Sequence, residues 1–503
     1  MTFSSFSFVL LFLPLAFAGF VFAHRSGGKA FAINYLAALS FAFYAMWGLP
    51  LLIILAASVL FNYWAGQKIS SMSGTPVLAR RMFQAGLAAN LGLLGYLKYT
   101  NFFIDIANQV AGTGFSHFDL LVPIGVSFFT FVQIGYLIDA YNGQLLPHNF
   151  GRYVVFSAFF PCVTAGPLVL QREMMGQMEE SNFDVLNARR IIVGLTLFGI
   201  GLFKKVVLAD SIAPSADFMF DGAATGLAVT AVDAWVGSVS YALQLYFDFS
   251  GYSDMAIGLG TLFGLKLPLN FSSPFKATNI SDFWRRWHMT MTRFFTTYVY
   301  SGLALSGMRK SAALKLGPKG RFLRVAALPM ILTFLVAGIW HGSGWTFVLY
   351  GLLHGIAIAT CLAWREFSGI KLPPIFAWAL TMVTVVSGLV LFRSPDVATA
   401  AGILQSMWGF GSAGGAEYLK GFDVNHANAL ITLLGAIVLL MPNSQQILHN
   451  DWPTTDAKPE GAALDAGLLA WRPTFGPAMA TATLYTVAMT SLTAGSSFLY
   501  YKF

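Results

Sequence analysis

Apolar runs recur from one end of the chain to the other, separated by short polar stretches, with no soluble-looking region between them. The candidate helices cover residues 3–23, 30–47, 50–66, 83–99, 119–140, 152–170, 190–209, 228–247, 325–340, 344–364, 374–392, 428–441 and 475–493. Several fall short of the ~20 residues that a straight membrane crossing needs, so some are half-spans, re-entrant, or buried inside a thick helical body. None shows the strict apolar–polar alternation of a membrane β-barrel strand. The pattern predicts an all-α integral membrane protein, one embedded domain over residues 1–503, with about 11 to 13 transmembrane or re-entrant helices.

Composition sharpens this. The chain is 56% hydrophobic and only 10% charged, where a soluble domain carries about 25% charged residues. Too few polar groups remain to cover a water-exposed surface, and lipid removes the need. The first run, residues 6–23, has no cation before it, while Arg25 and Lys29 follow it. A signal peptide has the reverse order, so the run is expected to stay as a first helix with the N-terminus outside the cytoplasm.

Charge is placed by topology. Residues 67–82 hold Lys68, Arg80 and Arg81 and no acid, and residues 306–324 hold Arg309, Lys310, Lys315, Lys319, Arg321 and Arg324 and no acid. Both read as cytoplasmic loops. The polar loop 442–473 mixes both signs and has no orienting bias. The net charge of +8 is explained this way, since no basic arm or nucleic-acid motif accompanies it. Cys162 and Cys361 sit in apolar stretches and have no metal-ligand or disulfide spacing.

One segment differs from the rest. Residues 270–300 read NFSSPFKATNISDFWRRWHMTMTRFFTTYVY, with cations and tryptophans interleaved. Asn279 or Ser281 is placed to cap a helix entering at Ile280. From there Trp284, Trp287, His288, Met291 and Phe295 are spaced along one helical face, while Arg285, Arg286 and Arg293 are too many cations for a lipid-facing span. The spacing predicts an interfacial or re-entrant amphipathic helix.

Eight histidines are present, and five lie in or beside polar loops. The others are His288 and, inside LTFLVAGIWHGSGWTFVLYGLLHGI, His341 and His354. An ionisable group at membrane depth is costly and usually faces a polar cavity. The alternative for each is a neutral ring donating to a backbone carbonyl. His341 is set apart by Gly342, Ser343 and Gly344, which break a helix and leave room for close approach, and by the bracketing Trp340 and Trp345. A histidine can take the proton from a hydroxyl as that hydroxyl attacks a thioester, with no metal and no cofactor. No carboxylate neighbours His341 or His354, which argues against a zinc site.

The runs YFDFSGYSDMAIGLGTLFGLKLPLNFSSPF, DFWRRWH and WHGSGWTFVLYGLLHG together resemble the membrane-bound O-acyltransferase superfamily, in its bacterial branch of alginate O-acetyltransferases and teichoic acid D-alanyltransferases. The strongest motifs span residues 241–356, with weaker similarity back to about residue 120. The resemblance implies a helical body around a central funnel, an acyl-CoA donor from the cytoplasm, and an acceptor outside. It implies that His341 is the general base and that His288 lines the same tunnel. Asp282, Trp284, Trp287, Trp340, Trp345 and His354 are then supporting or tunnel-lining residues. Arg309 and Lys310 are candidate contacts for an anionic donor, beside their topological reading. The chain ends FLYYKF, which resembles the aromatic terminus of polysaccharide-acetylating members. Tyr500 is the matching position for an acyl relay or partner docking, and an interfacial aromatic anchor is its plainer reading.

Two departures from the family pattern stand out. An Arg-Asp-Tyr is replaced by Thr296, Thr297 and Tyr298, and a glycine turn by SGLALSGMR. The expected activity is acetyl transfer from acetyl-CoA to hydroxyls of an exported polysaccharide across a bacterial inner membrane. A periplasmic acetyltransferase is the expected partner. Teichoic acid, peptidoglycan, lipid or protein are the other acceptors. A transporter or glycan exporter is the non-enzymatic reading, and it would more often show repeated halves, which this chain lacks.

Overall fold

Helices form over most of the apolar runs, and glycine sets several of their ends, but the run 152–170 is helical only as far as Ala158 and the run 119–140 only from Val126. The structure, a computed structural model, describes residues 1–72, 74–179, 187–411, 423–451, 453–456, 466–492 and 498–499. In chain order the helices include α1 (Ser7–Ala45), α2 (Leu49–Ser71), α3 (Pro76–Leu94), α4 (Val126–Tyr141), α5 (Ala188–Ala224) and α6 (Ala231–Leu262). Two short pieces follow, α7 (Ile280–Trp284) and α8 (Met289–Phe295), and then α9 (Ser301–Ala313). Next come α10 (Pro318–His341), α11 (Trp345–Phe367), α12 (Pro374–Arg393), α13 (Val397–Met407), α14 (Val424–Leu440) and α15 (Phe475–Thr490). Six helices, α1, α2, α5, α10, α11 and α12, are long and apolar enough to cross a membrane. Among the described residues there is no strand, only one isolated bridge between Leu267 and Thr454. The protein is all-α and multi-pass.

Two expectations change in detail. The runs 3–23 and 30–47 join in α1, whose backbone breaks at Gly28 with φ 69°. That value is open to glycine at no Cβ penalty. The basic stretch 306–324 is mostly helical, lying in α9 and the start of α10, with a turn at 314–317 that holds Lys315. All six of its cations are exposed.

The chain divides into two compact units. One takes in residues 1–203 and 251–269 with the described residues beyond 447; the other takes in 204–250 and 270–446. In the first unit a buried amide cluster ties α2, α3 and α4 together. Ser58 donates to Gln133 Oε1 at 2.9 Å, Asn90 donates to Asn62 at 2.7 Å, and Asn62 also donates to Gln133. Such bonds take the place that hydrophobic drive fills in water. In the same unit α5 and α6 pack backbone to backbone, since a Cβ at Gly258 would lie 2.6 Å from the Gly194 carbonyl oxygen.

The second unit carries the sequence motifs, and glycines set its closest packing. A Cβ at Gly338 of α10 would overlap the Phe347 carbonyl, and one at Gly351 of α11 would overlap the Phe334 carbonyl. The two helices therefore touch through their main chains, in the manner of small-residue membrane interfaces. Gly351→Ala should lose about 1–3 kcal/mol through overpacking. It should also slow the reaction by up to about 10²-fold, because His341 lies just beyond the contact and a 1 Å shift of a reacting group is expensive. Thermal midpoints in detergent and transfer rates check both.

Charges are also buried in this unit. Lys205 Nζ lies 2.7 Å from Asp210 Oδ1 and 2.8 Å from Asp248 Oδ1, with the Lys205 and Asp248 side chains 3% and 2% exposed. Arg393, at the end of α12, pairs with Asp217 at 3.0 Å and Asp221 at 3.2 Å on α5.

Candidate active site

His341 is the last residue of α10. Gly342 and Gly344 are fully extended, and α11 begins at Trp345. A Cβ at Gly342 would overlap the Phe347 ring, so the residue after the histidine has to be this small. The predicted break in the helix is thus present, and it leaves the imidazole at a helix end.

His288 is placed by a different device. The spacing predicts one continuous helix from Ile280 through Phe295, and the structure corrects this. His288 has φ 43° and ψ 52°, and it separates α7 from α8. A non-glycine residue in this left-handed region stores about 1–3 kcal/mol of strain and persists only where its surroundings fix it. Here Asn270 does so. Its carbonyl accepts from the Met289 N–H at 3.0 Å, and its side-chain oxygen accepts from the Thr290 hydroxyl at 2.7 Å. The Ser272 N–H donates to the Arg286 carbonyl at 2.9 Å. These bonds satisfy groups that a continuous helix would have used. Asn279, rather than Ser281, caps α7 by accepting from the Asp282 N–H at 2.8 Å.

The two histidines meet. Their ring centroids are 6.5 Å apart, and Trp340 packs against both, at 6.0 Å from His288 and 4.8 Å from His341. Phe249 lies edge-on to His288 at 4.8 Å, and Phe392 edge-on to His341 at 5.1 Å. Both histidines are buried.

His354 sits differently. Its Nδ1 accepts from the Trp284 indole N–H at 3.3 Å, and its Nε2 faces Gly388 so closely that a Cβ there would overlap it. Both ring nitrogens are committed to packing. Tyr350 bridges the two environments, with its ring 5.9 Å from His341 and 4.7 Å from His354. Trp284 also walls a cavity of about 150 Å³ with Met291, Phe295, Phe334 and Ala337, and Arg285 at its edge.

The other expected residues are scattered. Trp287 is buried against Phe283 and Phe271. Asp282 pairs with Arg285 at 3.2 Å and Arg286 at 2.9 Å, which braces the turn before His288. Trp345 is half exposed, and Arg309 and Lys310 are exposed on α9. Tyr500 lies outside the described residues. Reading the sequence missed Asn270, Tyr350 and Phe392. Asn270 opens the NFSSPF run and Tyr350 lies four residues before His354, so both stood in the motifs without a polar or strained partner to mark them.

The site is thus a pair of buried histidines at helix ends in a multi-pass helical body, packed about by tryptophan and glycine. Residues 137–392 match the MBOAT, membrane-bound O-acyltransferase family. The chain is 40% identical over 433 residues to a peptidoglycan O-acetyltransferase of Helicobacter pylori, covering 80% of this chain and 79% of the relative. It is 35% identical over 446 residues to a probable alginate O-acetylase of Pseudomonas aeruginosa, covering 87% and 80%. It is 27% identical over 312 residues to a teichoic acid D-alanyltransferase of Streptococcus thermophilus, covering 58% and 70%. This chain belongs to the membrane-bound O-acyltransferase family and is an O-acyltransferase.

Proposed function

We propose that the protein moves an acetyl group from cytoplasmic acetyl-CoA to hydroxyls of an exported polysaccharide, with His341 as general base. The observation that carries this is the buried pair His288 and His341, 6.5 Å apart between ring centroids and enclosed by Trp340, Phe249 and Phe392. In the transfer the acceptor O–H gives its proton to His341, and its oxygen bonds to the thioester carbonyl carbon. The C–S bond then breaks, and the leaving thiolate takes the proton back. His341 ends as it began, so no metal and no external base is required. His288 supplies a second imidazole beside it, 6.5 Å away between ring centroids, to orient the acyl group or the attacking oxygen.

Two further features support the reading. The relatives named as O-acetylating enzymes act on peptidoglycan or alginate, both glycans outside the cytoplasm. The six exposed cations of residues 306–324 fit a cytoplasmic, donor-facing side by the positive-inside rule. The membrane is then the bacterial inner membrane, with a periplasmic N-terminus and a periplasmic acetyltransferase as partner. Similarity to the Helicobacter pylori enzyme favours the wall glycan as a second acceptor alongside exopolysaccharide.

The test is mass spectrometry of wall muropeptides and extracellular polysaccharide from cells with and without the protein. Acetyl esters should vanish from one of the two polymers when the protein is removed. Unchanged acetylation of both would overturn the acceptor class.

A further inference from the structure

The α6 helix carries a polar stripe that the catalytic pair does not use. At 100° per residue, Ser240, Tyr241, Gln244 and Asp248 fall within an arc of about 100°. Asp248 is ion-paired to Lys205 at 2.8 Å. The other three are 0%, 0% and 5% exposed. Among the described residues, Ser240 Oγ, the Tyr241 hydroxyl and Gln244 Oε1 have no hydrogen-bond partner. Three orphaned polar atoms on one face of one buried helix depart from the rule that buried polar groups are paired. In an apolar, membrane-embedded body such groups are costly, and they persist where something polar comes to them.

The stripe also has a direction. The Tyr241 ring lies 5.5 Å from the Phe220 ring, and the Arg393 guanidinium sits over that ring at 5.6 Å. At one end Arg393 pairs with Asp217 and with Asp221, whose side chain is 69% exposed. At the other, Asp248 pairs with Lys205, and the next residue, Phe249, packs edge-on to His288 at 4.8 Å. The stripe thus runs from a surface ion pair towards the buried pair of His288 and His341, whose rings are 6.5 Å apart.

We propose that Ser240, Tyr241 and Gln244 form the binding site for the polyhydroxylated acceptor and guide its hydroxyl to His341. The chemistry selects this ligand. A phenol and a serine hydroxyl donate or accept, and an amide oxygen accepts. Neutral donors and acceptors in alternation match sugar hydroxyls. The cations at the two ends, Arg393 and Lys205, are already ion-paired, so the stripe offers a diphosphate-bearing donor no free positive charge. The acceptor is therefore assigned here, and the donor approaches elsewhere. The assignment rests on the transferase reading above.

Gln244→Leu and Tyr241→Phe test it, with Ser240→Ala as the mildest variant should either of the others fail to fold. Each replaces its source-cell copy. Detergent-permeabilised membranes receive tritium-labelled acetyl-CoA and surface-glycan fragments de-O-acetylated by mild base. The glycan KM should rise about tenfold with kcat held within about threefold. The thermal midpoint should hold or rise, because an apolar replacement removes an unmatched group. A raised midpoint with an unchanged glycan KM would show a stripe that is merely buried, and would overturn the proposal. Wild-type membranes that label no glycan would instead overturn the transferase reading itself.

Discussion

His341→Ala is expected to lower acyl transfer by about 10²–10⁴-fold, the usual contribution of a positioned general base. The substitution should leave the fold in place. His341 ends α10, where the neighbouring contacts are made by the main chains around Gly338 and Gly351. Removing the ring deletes a group that Trp340, Tyr350 and Phe392 pack against. The measurement is thiol release from acetyl-CoA by purified protein, with a detergent thermal midpoint alongside it. A variant with wild-type transfer and a wild-type midpoint would remove His341 from the mechanism. His354→Ala offers a contrast: that ring bonds Trp284 and packs on Gly388, so its loss should appear first in the midpoint.

A second large effect is expected away from the histidines. Lys205→Met should destabilise the protein by about 3–5 kcal/mol, because it removes the cation paired with Asp248 in a nearly closed interior. Asp210 suffers less, since its side chain is 27% exposed and water can reach it. The double variant Lys205→Met with Asp248→Asn should recover much of the loss, because replacing both partners of a buried pair is often close to neutral. The recovery of folded, monodisperse protein from membranes, with its thermal midpoint, reads both results. If Lys205→Met alone matches the wild type, the pair carries no weight in the fold.

Much of this architecture was legible in the sequence, for reasons particular residues make clear. The apolar runs located the long helices because lipid demands that pattern. Gly342, Ser343 and Gly344 announced the helix end that carries His341, since no other residues would stop an apolar helix there. The segment around His288 was read too simply. Periodicity sees Trp284, Trp287, Met291 and Phe295 as one face, and it is blind to a single left-handed residue held from outside by Asn270. The ion pairs were hidden for a related reason. Lys205 and Asp248 are 43 positions apart in sequence, and only the fold brings them together. The polar face of α6 was hidden too, because three neutral side chains spread over five positions look unremarkable until burial and the lack of partners are known.

The glycine contact between α10 and α11 has an evolutionary consequence. Because main chain meets main chain there, the position of His341 is set by atoms that every residue shares. Side chains lining the approach to it can drift without carrying the base along. A lineage built this way can exchange one polymer for another by altering walls while its chemistry stands still. Relatives named for peptidoglycan, alginate and teichoic acid are the diversity that such a division of labour would permit.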